Sequence, residues 1–124
     1  MKDSLQPGIS LVKDIVTTPE MAVRHMGENG KRVFSTPAMV DIIEYACVDC
    51  ASPHLDENEQ SVGTVLHIWH KSAVRTGDAI RCEVHLKERD RRRLLFEVKV
   101  TCGERLVGDG THERFVIDMD RFTP

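Results

Sequence analysis

An α+β fold, with an antiparallel sheet wrapped around one long central helix, is predicted by three observations. Residues 35–50, STPAMVDIIEYACVDC, carry apolar side chains at helical spacing around most of the circumference. From Val62 onward the chain changes to the two-residue alternation of strands. The length of 124 residues, with 40% hydrophobic and 30% charged, suffices for one core but not for two. Residues 1–124 are therefore expected to form a single domain, without repeats, linkers or low-complexity segments.

The elements follow in order. ISLVKDIVTT, residues 9–18, has the β-branched and apolar content of a strand, and Pro19 closes it. A short helix is expected within EMAVRHM, and GENGK, residues 27–31, predicts a loop able to serve as a flap. Ser35 or Thr36 caps the long helix, Pro37 suits its first turn because no helical hydrogen bond is lost there, and Pro53 ends it. After the polar loop HLDENEQ, alternation puts Val62, Thr64, Leu66 and Ile68 on one face of a strand and Gly63, Val65, His67 and Trp69 on the other. This strand reads as covered on both sides. Ile80, Cys82, Val84 and Leu86 point inward from a second strand, and Leu94, Phe96, Val98 and Val100 from a third; a fourth runs from Leu106 through Ile117. Four strands in an antiparallel meander, joined by hairpins around one helix, are the hot-dog architecture, although the pattern also admits other α+β layouts.

Composition narrows the function. No apolar run approaches the ~20 residues that cross a bilayer, and MKDSLQPG lacks the apolar core and cleavage site of a secretory signal, which points to the cytoplasm and to reduced cysteines. CVDC, Cys47 to Cys50, has a metal-like spacing but lies inside the helical pattern with no second pair nearby, so neither a metal nor a disulfide is expected. The net charge of −3 and pI near 6.0 argue against a nucleic-acid binder. ERDRRR is a single basic turn without interleaved aromatics and makes a poor nucleic-acid platform.

Glu44 is the anomaly of the helix. It falls between Val40 and Val48, and no lysine or arginine of the helix can pair with it. Its charge must find a partner in another element, reach solvent along a polar edge with Asp41, or be partly neutralised. A carboxylate partly desolvated in a cleft can serve as a general base. His70, where GTVLHIWH turns into KSAVRTGD, is the natural proton-handling neighbour, with His67 as its rival. The ordinary alternative for His70 is a histidine capping a turn.

VRHM (23–26), VFST and IIEYAC around the helix, GTVLHIWH (63–70) and GDGTHERFVI (108–117) together resemble the fluoroacetyl-CoA thioesterase group of hot-dog proteins over nearly the whole chain. The ordered set is a threonine eight residues before a helical glutamate, a glycine seven before a histidine, then GTHER. The resemblance implies an acyl-CoA thioesterase in which Thr36, Glu44 and His70 match the family's catalytic residues and Gly63 and Arg114 match positions near the acyl thioester. It also implies a homodimer with the site between protomers, an acyl-CoA substrate, and no cofactor beyond the CoA of that substrate. Fluoroacetyl-specific members carry a longer, phenylalanine-bearing lid, whereas HMGENGKRV offers glycines and charges with only Phe34 near its end. A small or medium acyl-CoA is therefore expected.

Eight helical residues span ~12 Å, so Thr36 and Glu44 cannot touch on one straight helix. Either Thr36 lies on the bend before the helix, or the site is assembled across a dimer. Lys71, Arg75 and the arginines of ERDRRR are candidate contacts for CoA phosphates. The competing readings are a hot-dog enoyl-CoA hydratase, for which no aspartate and histidine stand five apart in the helix, and a noncatalytic acyl-CoA binding or sensing module.

Overall fold

A computed structural model describes residues 1–27 and 31–124. The expected flap falls largely on residues 28–30, outside the described residues. Five strands, β1 (Ser10–Val16), β2 (Glu59–His70), β3 (Ala79–Asp90), β4 (Arg93–Cys102) and β5 (Arg105–Asp118), form one antiparallel sheet in the order β1-β3-β4-β5-β2. The helix α1 (Thr36–Ala51) packs on one face of this sheet.

Ser35 is the N-cap, its hydroxyl accepting from the Ala38 N–H at 3.1 Å, and Pro37 sits in the first turn as expected. The helix ends at Ala51 and passes into a 3-10 turn, Ser52–His54, that contains Pro53. Met39, Ile43, Ala46 and Cys47 are fully buried against Val84, Leu86, Phe96 and Val100 of the sheet. The helix does have a water-facing stripe, Asp41, Tyr45 and Asp49, spaced four residues apart.

Three expectations are corrected. The helix within EMAVRHM is only a 3-10 turn, Pro19–Met21; beyond it the backbone extends, because Ala22 bridges Phe34 and the Val23 N–H bonds the Val33 carbonyl. The meander holds for β3-β4-β5, but β2 pairs with β5 instead of β3, and the 71–78 connection carries the chain across. β2 is accordingly an edge strand and is not covered on both sides: Val65, Leu66 and Trp69 are each 43–52% exposed.

The alternation along β2 is also broken. Gly63 pairs with Arg114 and Val65 with Glu113, so Thr64 is an extra, bulged residue. That one residue puts Gly63 on the helix-facing side together with Leu66, Ile68 and His70, where strict alternation predicts the opposite face.

Candidate active site

Two polar clusters lie on the helix-facing side of β2, near its two ends. At the start of the helix, Thr36 Oγ1 is 2.8 Å from His70 Nδ1. The ring of His70 is held edge-on by Phe34 at 6.3 Å between centroids, and its Nε2 is buried without a hydrogen-bond partner among the described residues. A cavity of about 280 Å³ opens here between Val23, Phe34, Thr36, His70 and Ser72. Pro37 has no N–H, the Ala38 N–H is capped by Ser35, and the Ser35 N–H bonds the Met21 carbonyl. The Thr36 N–H is therefore the free donor of this turn among the described residues, carrying the positive end of the helix dipole.

The second cluster surrounds Glu44. Its Oε2 receives Arg114 Nη1 at 3.2 Å, a partner from another element, and the side chain is 35% exposed. Arg114 is almost fully buried, which an arginine tolerates only when its donors are matched. Here Nε donates to Ser61 Oγ and Nη2 to the Ser61 carbonyl, both at 2.8 Å, while Nη1 is also 3.0 Å from His112 Nε2. His112 Nδ1 lies 2.8 Å from the Val65 carbonyl, which can only accept, so Nδ1 carries the hydrogen and Nε2 accepts from Arg114. Burial pushes the His112 pKa down, in keeping with this neutral tautomer. The 3.8 Å approach of His112 Nε2 to Glu44 is consequently not an ion pair.

Gly63 lies directly over this cluster: a Cβ there would stand 2.7 Å from Glu44 Oε2 and 3.3 Å from Arg114 Nη1. The glycine is required for the carboxylate to hold its position. Gly108 has a similar function beside His70, since a Cβ would meet the Trp69 carbonyl at 2.6 Å and the Met39 thioether at 3.0 Å.

Within one chain, then, Thr36 and His70 are brought together, as are Glu44, Gly63 and Arg114. Thr36 is the first residue of the helix, not part of a bend before it, so the eight-residue separation from Glu44 stands. Sequence reasoning left Ser61 and His112 unassigned. For His112 the signal was its spacing, two residues before Arg114 and so on the same face of a strand.

Most of the other cations singled out in the sequence are engaged elsewhere. Arg89 donates to the Leu5 carbonyl, Arg92 pairs with buried Glu59, Arg93 with Glu113, and Lys71 with Asp109. Cys47 and Cys50 are buried on the helix, and the four cysteines are free thiols. A larger cavity of about 730 Å³, on the outer face of the sheet near Trp69, His85 and Lys99, touches none of the site residues.

Comparison with known proteins agrees with this architecture. The model of the fluoroacetyl-CoA-specific thioesterase family, FlK, matches residues 16–120. The chain belongs to that family. It is 34% identical over 128 residues to a fluoroacetyl-CoA thioesterase of Streptantibioticus cattleyicolor, covering 98% of this chain and 92% of the relative. A solved structure of the fluoroacetyl-CoA thioesterase FlK superposes with a TM-score of 0.88 at 32% identity, over 97% of this chain and 93% of the other. A thioesterase superfamily member of Thermus thermophilus gives a TM-score of 0.86 at 25% identity, over 96% and 88%. The fold is the hot-dog fold, and the expected thioester-hydrolase chemistry is that of the family.

Proposed function

We propose that this protein hydrolyses small or medium acyl-CoA thioesters to the free acid and CoA, using Thr36, His70 and Glu44, with Gly63 and Arg114 beside the acyl group. The observation that carries this reading is the 2.8 Å contact of Thr36 Oγ1 with His70 Nδ1 at a helix N-terminus. It aligns a hydroxyl with a base while the adjacent Thr36 N–H faces charge that develops on a thioester oxygen. The FlK relative supports the substrate class, having been solved as a threonine-to-alanine variant with fluoroacetate and as a phenylalanine-to-alanine variant with fluoroacetate and CoA.

The working unit in this reading is a homodimer of single-domain chains joined edge to edge through β2. Its open ladder and exposed Val65, Leu66 and Trp69 favour such pairing. A two-fold axis near Leu66 and His67 sets His70 beside Gly63 of the partner subunit, because residues equally far from the axis meet. Glu44 of the partner subunit then approaches His70 Nε2, the buried nitrogen lacking a mate within its own chain. Thr36 passes its proton to Nδ1, the imidazolium is steadied by that carboxylate, and Arg114 and His112 keep the carboxylate in place. Thr36, or a water activated through it, attacks the carbonyl, the C–S bond breaks, and the imidazolium gives its proton to the departing sulfur so that CoA leaves as the thiol. Where Thr36 is the nucleophile, a water then hydrolyses its acyl ester and releases the acid. No cofactor is needed. Among the described residues no helix is long and apolar enough to cross a membrane, and the free thiols favour a reducing, cytoplasmic setting.

A thiol-release assay over a panel of acyl-CoAs, with Thr36→Ala, Glu44→Gln and His70→Ala beside the parent, tests this reading. Turnover by the parent and loss in each variant is expected. Unaltered turnover in all three variants rejects the site, and hydration of enoyl-CoA without thiol release points to a hydratase.

A further inference from the structure

The bulge in β2 also fixes what lies on the other face of that strand. With Thr64 set outside the ladder, Val65, His67 and Trp69 point away from the helix, on the outer face of the sheet. His67 is exposed, and its imidazole stacks on the Trp69 indole at 4.5 Å between centroids, tilted by 34°. The histidine rings that are hydrogen-bonded among the described residues are those of His54, His70 and His112, so both nitrogens of His67 are free. Edge pairing of β2 with its own copy gives this ring a particular neighbour. His70 meets Gly63 of the partner subunit, and between those two positions the ladder runs Gly63, Val65, Leu66, His67, Ile68, Trp69, His70. Its midpoint is His67. In an antiparallel pair the residue on the two-fold axis faces its own copy, with Cα atoms ~4.5–5.5 Å apart.

We infer that the two His67 imidazoles form a site for one divalent transition-metal ion, of the zinc class, on the two-fold axis of the dimer. The inference rests on the edge-paired dimer of the reading above and adds to it a ligand remote from the chemistry. Within one chain, no group of three or more His, Cys, Asp or Glu side chains among the described residues could hold a metal, so the pair exists only where two copies meet. Neutral imidazoles are ligands that borderline dications favour, and water completes the coordination of such a pair on an open face. The charged groups that face His67 come from β5, where Thr111 is its ladder partner and Asp109 and Glu113 lie two positions to either side. Lys71 and Arg93 already pair with those carboxylates, so no unmatched cation opposes a dication there. The ion joins two edge strands and takes no part in acyl transfer. Because each site combines His70 of one protomer with Glu44 of the partner subunit, an ion that holds the strands together keeps the site assembled at low protein concentration.

Sedimentation of the parent in chelator and in zinc chloride tests the site. At a zinc concentration about ten times its dissociation constant, the dissociation constant of the dimer falls about tenfold, with one zinc bound per dimer. Thiol release by highly diluted enzyme rises in step. His67→Gln dimerises in chelator as the parent does and shows neither response. His67→Cys, under mild oxidation, joins into a disulfide-linked dimer, which checks the register without any metal. A parent dimer indifferent to zinc, zinc bound once per chain, or a response kept in His67→Gln overturns the site. A dimer that His67→Cys fails to cross-link rejects the β2 register and the site with it. Zinc-dependent dimerisation that is lost in His67→Gln, in a parent that releases no thiol, rejects the hydrolase reading and keeps the site.

Discussion

Arg114 Nη1 stands 3.0 Å from His112 Nε2 and 3.2 Å from Glu44 Oε2, so a single guanidinium nitrogen ties a buried neutral imidazole to the helix carboxylate. Because His112 also donates to the Val65 carbonyl, it connects the bulged strand to the same carboxylate. Glutamine can accept through its oxygen and donate through its nitrogen, so His112→Gln retains most activity. His112→Leu removes an acceptor of Arg114 Nη1 while the two bonds to Ser61 remain, so the nitrogen that holds Glu44 shifts and kcat falls by on the order of a hundredfold, the effect of a small misplacement in a site. Thiol release with saturating substrate separates the two variants.

The same histidine makes stability depend on pH. In the unfolded chain it binds a proton near the ordinary value of about 6.5, while burial lowers its pKa in the fold. The unfolded state thus takes up protons first, so the contribution to stability is complete above that value and declines as the pH falls below it. Melting curves from neutral to mildly acidic pH should show this decline in the parent and a shallower one in His112→Gln.

Gly63→Ala introduces a Cβ 2.7 Å from Glu44 Oε2. The carboxylate must move, and turnover is expected to fall on the order of a hundredfold. Circular dichroism should meanwhile show a native fold. Activity equal to the parent would mean that the position of Glu44 is not critical.

If each site combines Thr36 and His70 of one protomer with Glu44 of the partner subunit, two inactive variants can complement. Thr36→Ala and Glu44→Gln homodimers, unfolded together and refolded as a mixture, should recover about a quarter of parental activity, because half the dimers are mixed and each mixed dimer has one intact site. No recovery, with mixed dimers verified by mass, refutes the shared site.

Arg91 occupies the hairpin between β3 and β4 with φ of 57°, the left-handed region that disfavours a side chain. Arg91→Gly is expected to raise stability by up to about 1 kcal/mol, read as a higher Tm.

Burial pushes the Cys82 thiol up to about 11 and the Cys47 thiol up as well. A thiol reagent at neutral pH should therefore label half-buried Cys102 first in the native protein, and Cys47 and Cys82 only on unfolding.

The sequence by itself determined the central helix, through Ser35, Pro37 and the apolar spacing from Met39 to Cys50, and the inward faces of β3 and β4, because these signals are local and repeat along one element. It also singled out Glu44 as a charge needing a partner outside its helix. Which partner that is, only the tertiary structure decided. Glu44 and Arg114 are separated by 70 positions and meet between the helix and β5, while Ser61 and Gly63 join them because β2 crosses to pair with β5 and because one bulged residue, Thr64, turns Gly63 toward the helix. Neither event has a local signature: strand order depends on contacts between distant segments, and a single inserted residue reverses the face of everything before it while leaving the composition of the strand untouched.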